Sequence, residues 1–243
     1  MRVGILETGR PPSELGQDYG SYAQMSAAWL APLHLEPIIY AVIDGVMPQR
    51  SDLADIWLVT GSKCGVYETH TWIPPLESFI RRCHTEQVPM IGICFGHQII
   101  AQAMGARVRK SAKGWGVGVH RYDMRPNDTA SQEALTHLDL AVFHQDQVET
   151  CPKGAEILGG SSFCDFGVLR YGSWALTTQA HPEFTAQFIR ALIASRKGVT
   201  LPDDIAEAGL RTVHDRLTSD QLLPFVQELL NAGTKSGRGT ARK

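Results

Sequence analysis

The chain is poor in the features that would mark a special environment. It has only five cysteines in 243 residues, an odd number, at Cys64, Cys83, Cys94, Cys151 and Cys164. No C-x-x-C spacing occurs among them, so neither a disulfide framework nor a structural zinc site is expected. No apolar run approaches the length of a membrane span. The first residues, Met-Arg-Val-Gly-Ile-Leu, read as a core strand and lack the apolar stretch and small-residue cleavage site of a signal peptide. There is no excess of charge: 23 basic against 25 acidic side chains leave a formal net charge of -2. That balance gives no reason to expect nucleic acid or an anionic membrane as a partner. Together these absences point to the reducing cytoplasm.

What is present is an ordinary globular composition, 43% apolar and 20% charged, in a chain long enough for one large domain with a well-buried core. Short apolar runs alternate with amphipathic segments. Val3–Leu6, Pro37–Val42, Asp55–Thr60 and Val88–Cys94 read as strands. Gly20–Leu30, the Ile73/Leu76/Phe79/Ile80/Cys83 series behind Ile-Pro-Pro, and the face Ile99/Ile100/Ala103/Met104 read as helices. This alternation predicts an α/β layer fold with a central, mostly parallel sheet. Between Gly114 and about Leu176 the pattern becomes β-rich and Gly-punctuated. Val117–Tyr122, Ala141–Phe143, Glu156–Ser161, Phe166–Tyr171 and Trp174–Gln179 are expected as antiparallel strands that continue the sheet or form a ribbon beside it. Phe184, Phe188, Leu192 and Ile193 mark a further helix, and Leu222–Leu230 the last one. The expected organisation is one domain over 1–195 and a helical C-terminal extension over 196–243. The Gly-, Lys- and Arg-rich tail after Gly233 is expected to be frayed.

Three segments carry chemistry. In the first, the strand Val88–Cys94 runs directly into a helix at Phe95, giving Gly92-Ile93-Cys94-Phe95-Gly96. This G-x-C-x-G turn is the thiol counterpart of the nucleophile elbow. So sharp a turn strains the nucleophile's backbone and leaves no room for side chains two residues away. It presents Cys94 Sγ at the C-terminal edge of the sheet, over a helix N-terminus that favours the thiolate. The Phe95 N–H points the same way and can donate to an oxyanion. The second segment is His181-Pro182-Glu183. A thiolate nucleophile needs a base that protonates the leaving amine, and the base needs a carboxylate to orient it. Two-residue spacing stiffened by Pro182 lets both side chains share one line to sulfur. The rival histidines His34, His70, His84, His120, His137 and His214 read as lying on helix faces or loops. The third segment, Val59-Thr60-Gly61-Ser62-Lys63-Cys64-Gly65, is a Gly-rich strand-to-loop turn able to offer backbone N–H groups to an oxygen. The loop Glu7–Pro12 is left unassigned between a rim of the pocket and an ordinary surface loop, and reads better as the latter.

Taken in order, Gly92-Ile93-Cys94-Phe95-Gly96-His97-Gln98, the upstream Gly-rich loop and the downstream His181-Pro182-Glu183 resemble the class I, or triad, glutamine amidotransferase family. The likeness is to free-standing members similar to the amidotransferase domain of GMP synthase, and it covers roughly Asp55 to Phe188. The resemblance implies a flavodoxin-like three-layer sandwich with an added β-rich segment. It implies a triad of Cys94, His181 and Glu183, and an oxyanion hole using the N–H of Phe95 and one from Gly61-Ser62. Gln98 matches a glutamine that contacts substrate. Phe143-His144-Gln145-Asp146-Gln147-Val148 resembles the segment whose backbone holds the substrate's α-amino and α-carboxylate groups. Two departures stand out: Ser62-Lys63-Cys64 where Gly-Gly-Pro is frequent, and Gln145 where glycine is common. The implied reaction is release of ammonia from the glutamine side chain through a Cys94 thioester, with no metal or organic cofactor. A separate synthase chain would receive the ammonia. The alternatives are a stand-alone γ-glutamyl peptidase and a catalytically silent regulatory subunit. A cysteine-dependent α/β-hydrolase fits less well, because its acid normally precedes the histidine at a distance.

Overall fold

The computed structural model describes residues 1–125 and 135–237. The chain opens with β1 (Arg2–Leu6), α1 (Ser13–Tyr19), α2 (Tyr22–Leu30), β2 (Glu36–Tyr40) and β3 (Ile56–Val59). It continues with α3 (Ile73–Thr85), β4 (Met90–Ile93) and α4 (Phe95–Ala103). The β-rich stretch contains β5 (Val108–Lys110), β6 (Gly116–Met124), β7 (His137–His144), β8 (Asp146–Val148), β9 (Glu156–Gly160), β10 (Val168–Tyr171) and β11 (Ala175–Thr178). Three helices follow: α5 (Ala186–Arg196), α6 (Asp203–Thr212) and α7 (Leu223–Gly237). Helix α7 runs on past Gly233, and the remainder of the tail expected to fray lies outside the described residues.

One sheet carries the fold, in the order β2-β1-β3-β4-β11-β10-β9-β6-β7. The first five strands are all parallel. Their short runs, such as Ile56–Val59 and Met90–Ile93, are buried at every position, as a sheet covered on both faces requires. From β10 onward the ladders are antiparallel. The added β-rich segment therefore mainly extends the sheet, while β5 and β8 form a separate two-stranded ribbon. The exception to the expected antiparallel set is β11, which pairs parallel to β4 from Ala175↔Met90 to Thr178↔Ile93. All four β11 residues are buried, the mark of an interior strand and not of a ribbon edge.

Period-2 alternation along the strands divides the core. Ile56, Leu58, Ile91 and Ile93 face α2 and α7, whereas Trp57, Val59 and Met90 face α3 and α4. Helix α7 contributes Phe225, Val226, Leu229 and Leu230 to the same cluster as Val3 and Ile5 of β1. Burying each such side chain stabilises by roughly 1.5–3 kcal/mol, so α7 forms one outer layer of the sandwich together with α2. Helices α1, α5 and α6 pack over β6 and β7 through Leu15, Phe188, Ile189, Ala206, Val117 and Ala141. The apolar signal of α6 is faint, with only Ala206 and Gly209 buried. Its start is nevertheless written locally as Pro202-Asp203-Asp204, with the acids at the positive end of the helix dipole. No helix among the described residues is long and apolar enough to cross a membrane.

Candidate active site

Because β1, β3, β4 and β11 are parallel, their C-terminal ends emerge on one edge of the sheet, where open α/β folds place ligands. Four chain segments meet there: Glu7–Arg10, Thr60–Ser62, Cys94 and Gln179–Glu183. Cys94 has φ 51° and ψ -101°, a left-handed conformation that a non-glycine residue holds only when its surroundings enforce it. The enforcement is visible in its neighbours. A Cβ on Gly92 would lie 2.7 Å from the carbonyl carbon of Gly96, and one on Gly96 would collide with the carbonyl oxygen of Val59. Cys94 caps α4, so the first helical N–H, that of Phe95, has no intrahelical carbonyl to bind.

His181 follows β11 and is anchored by its backbone N–H, which donates to Ala141 O at 2.8 Å. Its Nδ1 lies 2.8 Å from Glu183 Oε1, and both side chains are almost wholly buried. Glu183 Oε2 has no partner among the described residues, so its charge is directed largely at the imidazole. The ring is stacked on Phe184, centroids 4.0 Å apart and planes 7° apart. Burial alone favours the neutral imidazole, but the charges of Glu183 and of Cys94, with hydrogen bonding to both, outweigh it and raise the His181 pKa. The raised value favours the imidazolium form of His181 beside the Cys94 sulfur.

Gly61 closes the third side. A Cβ there would meet His181 Cε1 at 2.9 Å and Cys94 Cβ at 3.8 Å. The Gly61 turn is tied down by the N-terminal loop, which is therefore not ordinary surface; its Arg10 and Pro12 line the rim of the cavity, the other reading of that loop. Thr8 is fully buried, and its hydroxyl donates to Thr60 O at 2.9 Å while its N–H donates to Thr60 Oγ1 at 3.0 Å.

Cys94 and His181 open into a cavity of about 520 Å³ whose lining includes Ser62, Gln98, His144, Gln145 and Asp146. The residues matched to substrate contacts are therefore gathered around the sulfur, though not all with free polar atoms. The Gln98 amide is already committed, Nε2 donating to Asp146 O at 2.9 Å and to Gln179 Oε1 at 3.1 Å. His144 Nδ1 lies 3.2 Å from Asp146 O, and burial pushes its pKa down to about 3, so the ring is neutral. Asp146 accepts from the Tyr67 hydroxyl at 2.9 Å. Burial raises its pKa, partly offset by that bond.

Sequence reasoning missed Gln179, whose Nε2 lies 3.6 Å from Cys94 Sγ. The signal was its polarity: Thr177, Gln179 and His181 recur at every second position at the end of a buried strand, and side chains two apart share a face. His97 uses that face too, its Nδ1 lying 2.8 Å from Thr177 Oγ1. Of the rival histidines, His120 and His137 lie in strands β6 and β7, not on helices or loops, and none of the six lines the cavity. All five cysteines are free. At the rim, potential ligand atoms of Cys64, Glu68 and His70 come within 4.8 Å of one another. Glu68 and His70 are already paired at 2.8 Å.

The profile of class I glutamine amidotransferases matches residues 52–196. This chain belongs to that family. Among sequence relatives, a glutamine amidotransferase-like protein of Schizosaccharomyces pombe is 29% identical over 81% of this chain and 84% of its own length. γ-Glutamyl peptidase 2 of Arabidopsis thaliana is 27% identical over 79% of this chain and 80% of its own length. GMP synthase of Azoarcus sp. (strain BH72) is 27% identical over 62% of this chain but only 31% of its own length. The crystal structure of a glutamine amidotransferase from Thermotoga maritima superposes with a TM-score of 0.71 at 18% identity, covering 97% of this chain and 99% of that one. At that identity the likeness establishes the fold, the flavodoxin-like sandwich of this amidotransferase family.

Proposed function

We propose that the chain hydrolyses γ-glutamyl amides through a Cys94 thioester and releases an amine larger than ammonia. The observation that carries the reading is that Cys94 and His181 line one cavity while Glu183 holds the imidazole from behind at 2.8 Å. The thiolate of Cys94 attacks the δ-carbonyl carbon. The N–H of Phe95 and one from Gly61-Ser62 receive the developing oxyanion; one such donor is worth roughly 3–4 kcal/mol in the transition state. The C–N bond breaks as the His181 imidazolium gives its proton to the nitrogen, and the amine departs. The now neutral imidazole takes a proton from water, the resulting hydroxide attacks the thioester, and glutamate leaves as the thiolate returns. Glu183 holds the tautomer and stabilises the cation. Gln98, His144, Gln145 and Asp146 form the glutamyl end of the cavity, with Gln179 supporting the sulfur.

What favours a larger leaving group is space. A cavity of about 520 Å³ is of the size that takes a drug-sized ligand. A relative that matches this chain over most of both lengths bears the name γ-glutamyl peptidase. A second reading, ammonia release from glutamine for a separate synthase chain, is supported by the likeness to part of GMP synthase. Purified protein incubated with glutamine and with γ-glutamyl dipeptides separates the two when ammonia, glutamate and free amino acid are measured individually. The expected result is partner-independent release of amino acid, with a larger kcat/KM than for glutamine. Slow ammonia release alone, rising on addition of a co-purifying synthase, installs the second reading.

A further inference from the structure

The two walls of the cavity differ in chemistry. One wall holds Gln98, Asp146, Tyr67 and Lys110, polar groups that mostly bind one another. The other lies on the His181 side. Since His181 delivers the proton to the leaving nitrogen, the leaving group must extend along that wall. It begins with Phe184, stacked on the His181 ring, and Tyr22, whose ring centroid is 5.6 Å from that of Phe184. It continues onto the end of α5 with Leu192 and Arg196. These two are four residues apart and share a helix face.

Arg196 is half-buried, and its guanidinium has no hydrogen-bond or ion-pair partner among the described residues. Its neighbours are not in this position: Arg190 holds Asp215 and Lys197 holds Glu207. Arg10, at the opposite rim, is engaged by Glu7 and Asp44. Arg196 lines the same cavity as Tyr22, Cys94 and His181, so its guanidinium faces the space in front of the reacting centre. An unpaired guanidinium beside aromatic and aliphatic surface is a ready receptor for a carboxylate carried on an apolar body. Ammonia would use none of this wall.

We propose that Arg196 binds a carboxylate on the leaving amine, which makes the substrates γ-glutamyl amides of amino acids or short peptides with a free C-terminus. The inference rests on the γ-glutamyl hydrolase reading and adds the identity of the amine. One water is consumed: the amide C–N bond is replaced by C–S and then C–O, and the nitrogen leaves as an amino acid or peptide amine.

The test uses the full chain and a matched pair of substrates, γ-glutamyl-alanine and γ-glutamyl-alanine amide, which differ only in the terminal carboxylate. A charge-assisted bond predicts that the wild type prefers the acid by roughly 10- to 100-fold in kcat/KM. Arg196→Met should erase that preference while leaving the amide and glutamine almost unchanged. Lys63→Met, which removes an exposed cation at the mouth, should keep the preference. Equal use of acid and amide by the wild type, or a uniform loss on all substrates in Arg196→Met, overturns the proposal. If no γ-glutamyl amide is turned over, the hydrolase reading fails and calorimetry on Cys94→Ser protein decides the Arg196 question alone. Tighter binding of the acid than of the amide, lost in Cys94→Ser/Arg196→Met, supports the proposal; equal or no binding refutes it.

Discussion

Substituting Gly61 by alanine tests the site geometry with a single methyl group. Gly61 is not in the left-handed region, so alanine fits the backbone and only space is at issue. The new Cβ would stand 2.9 Å from His181 Cε1 and 3.7 Å from Nδ1. Carbon atoms rest at about 3.5–4.0 Å, so the ring must retreat by about 0.6 Å or more. It has little freedom to do so. Phe184 lies parallel to its face at 4.0 Å, and Glu183 holds Nδ1 at 2.8 Å. The relief is a tilted imidazole or a lengthened bond to Glu183, and either misdirects the proton donor. Misplacement on the order of 1 Å costs about 10²-fold in rate, whereas overpacking costs roughly 1–3 kcal/mol of stability. The Gly61 N–H survives, so any oxyanion donor there is retained. The expected outcome is a folded protein, slightly lowered in melting temperature, with kcat on a γ-glutamyl dipeptide down about 100-fold. Wild-type kcat in Gly61→Ala would refute the placement of His181 as proton donor.

Two further predictions concern the proposed triad. A γ-glutamyl electrophile should label Cys94 and spare Cys83 and Cys164, whose thiols burial pushes up to about 12; Cys94→Ala should abolish both labelling and turnover, and peptide mapping that finds the label on Cys64 instead would sink the assignment. Glu183→Gln should lose about two orders of magnitude less activity than His181→Ala, and should lower the His181 pKa followed by ring NMR. Because the folded value is raised above the ordinary histidine value, the stability from charged His181 is complete below about pH 6.5 and is lost as pH rises through the folded value; this alkaline decline should shrink in Glu183→Gln, and an unmoved ring titration would count against the pairing.

Much of this molecule was legible in the chain itself, because local rules write it. The strand-to-helix turn at Cys94 can be read from Gly92 and Gly96: Gly92 relieves a clash with Gly96 only four residues on, although the clash that Gly96 relieves, with Val59, is set by the neighbouring strand. His181-Pro182-Glu183 is legible for the same reason: two residues and a proline fix the pair. The alternation of buried strands with amphipathic helices states the layer class, because periodicity encodes which face is covered. What lies between distant segments could not be read. That Thr8 braces the Gly61 turn, that Gln179 reaches the sulfur and that Gln98 is held by Asp146 depends on parallel pairing of β1, β3, β4 and β11, which brings their ends to one edge. The parallel placement of β11 carries no local signature, since four buried residues suit either direction. The wall ending in Arg196 belongs to tertiary structure alone. A lone arginine at a helix end reads as solvated surface, and only the packing of α5 beside the site gives it a cavity to face and leaves it without a partner among the described residues.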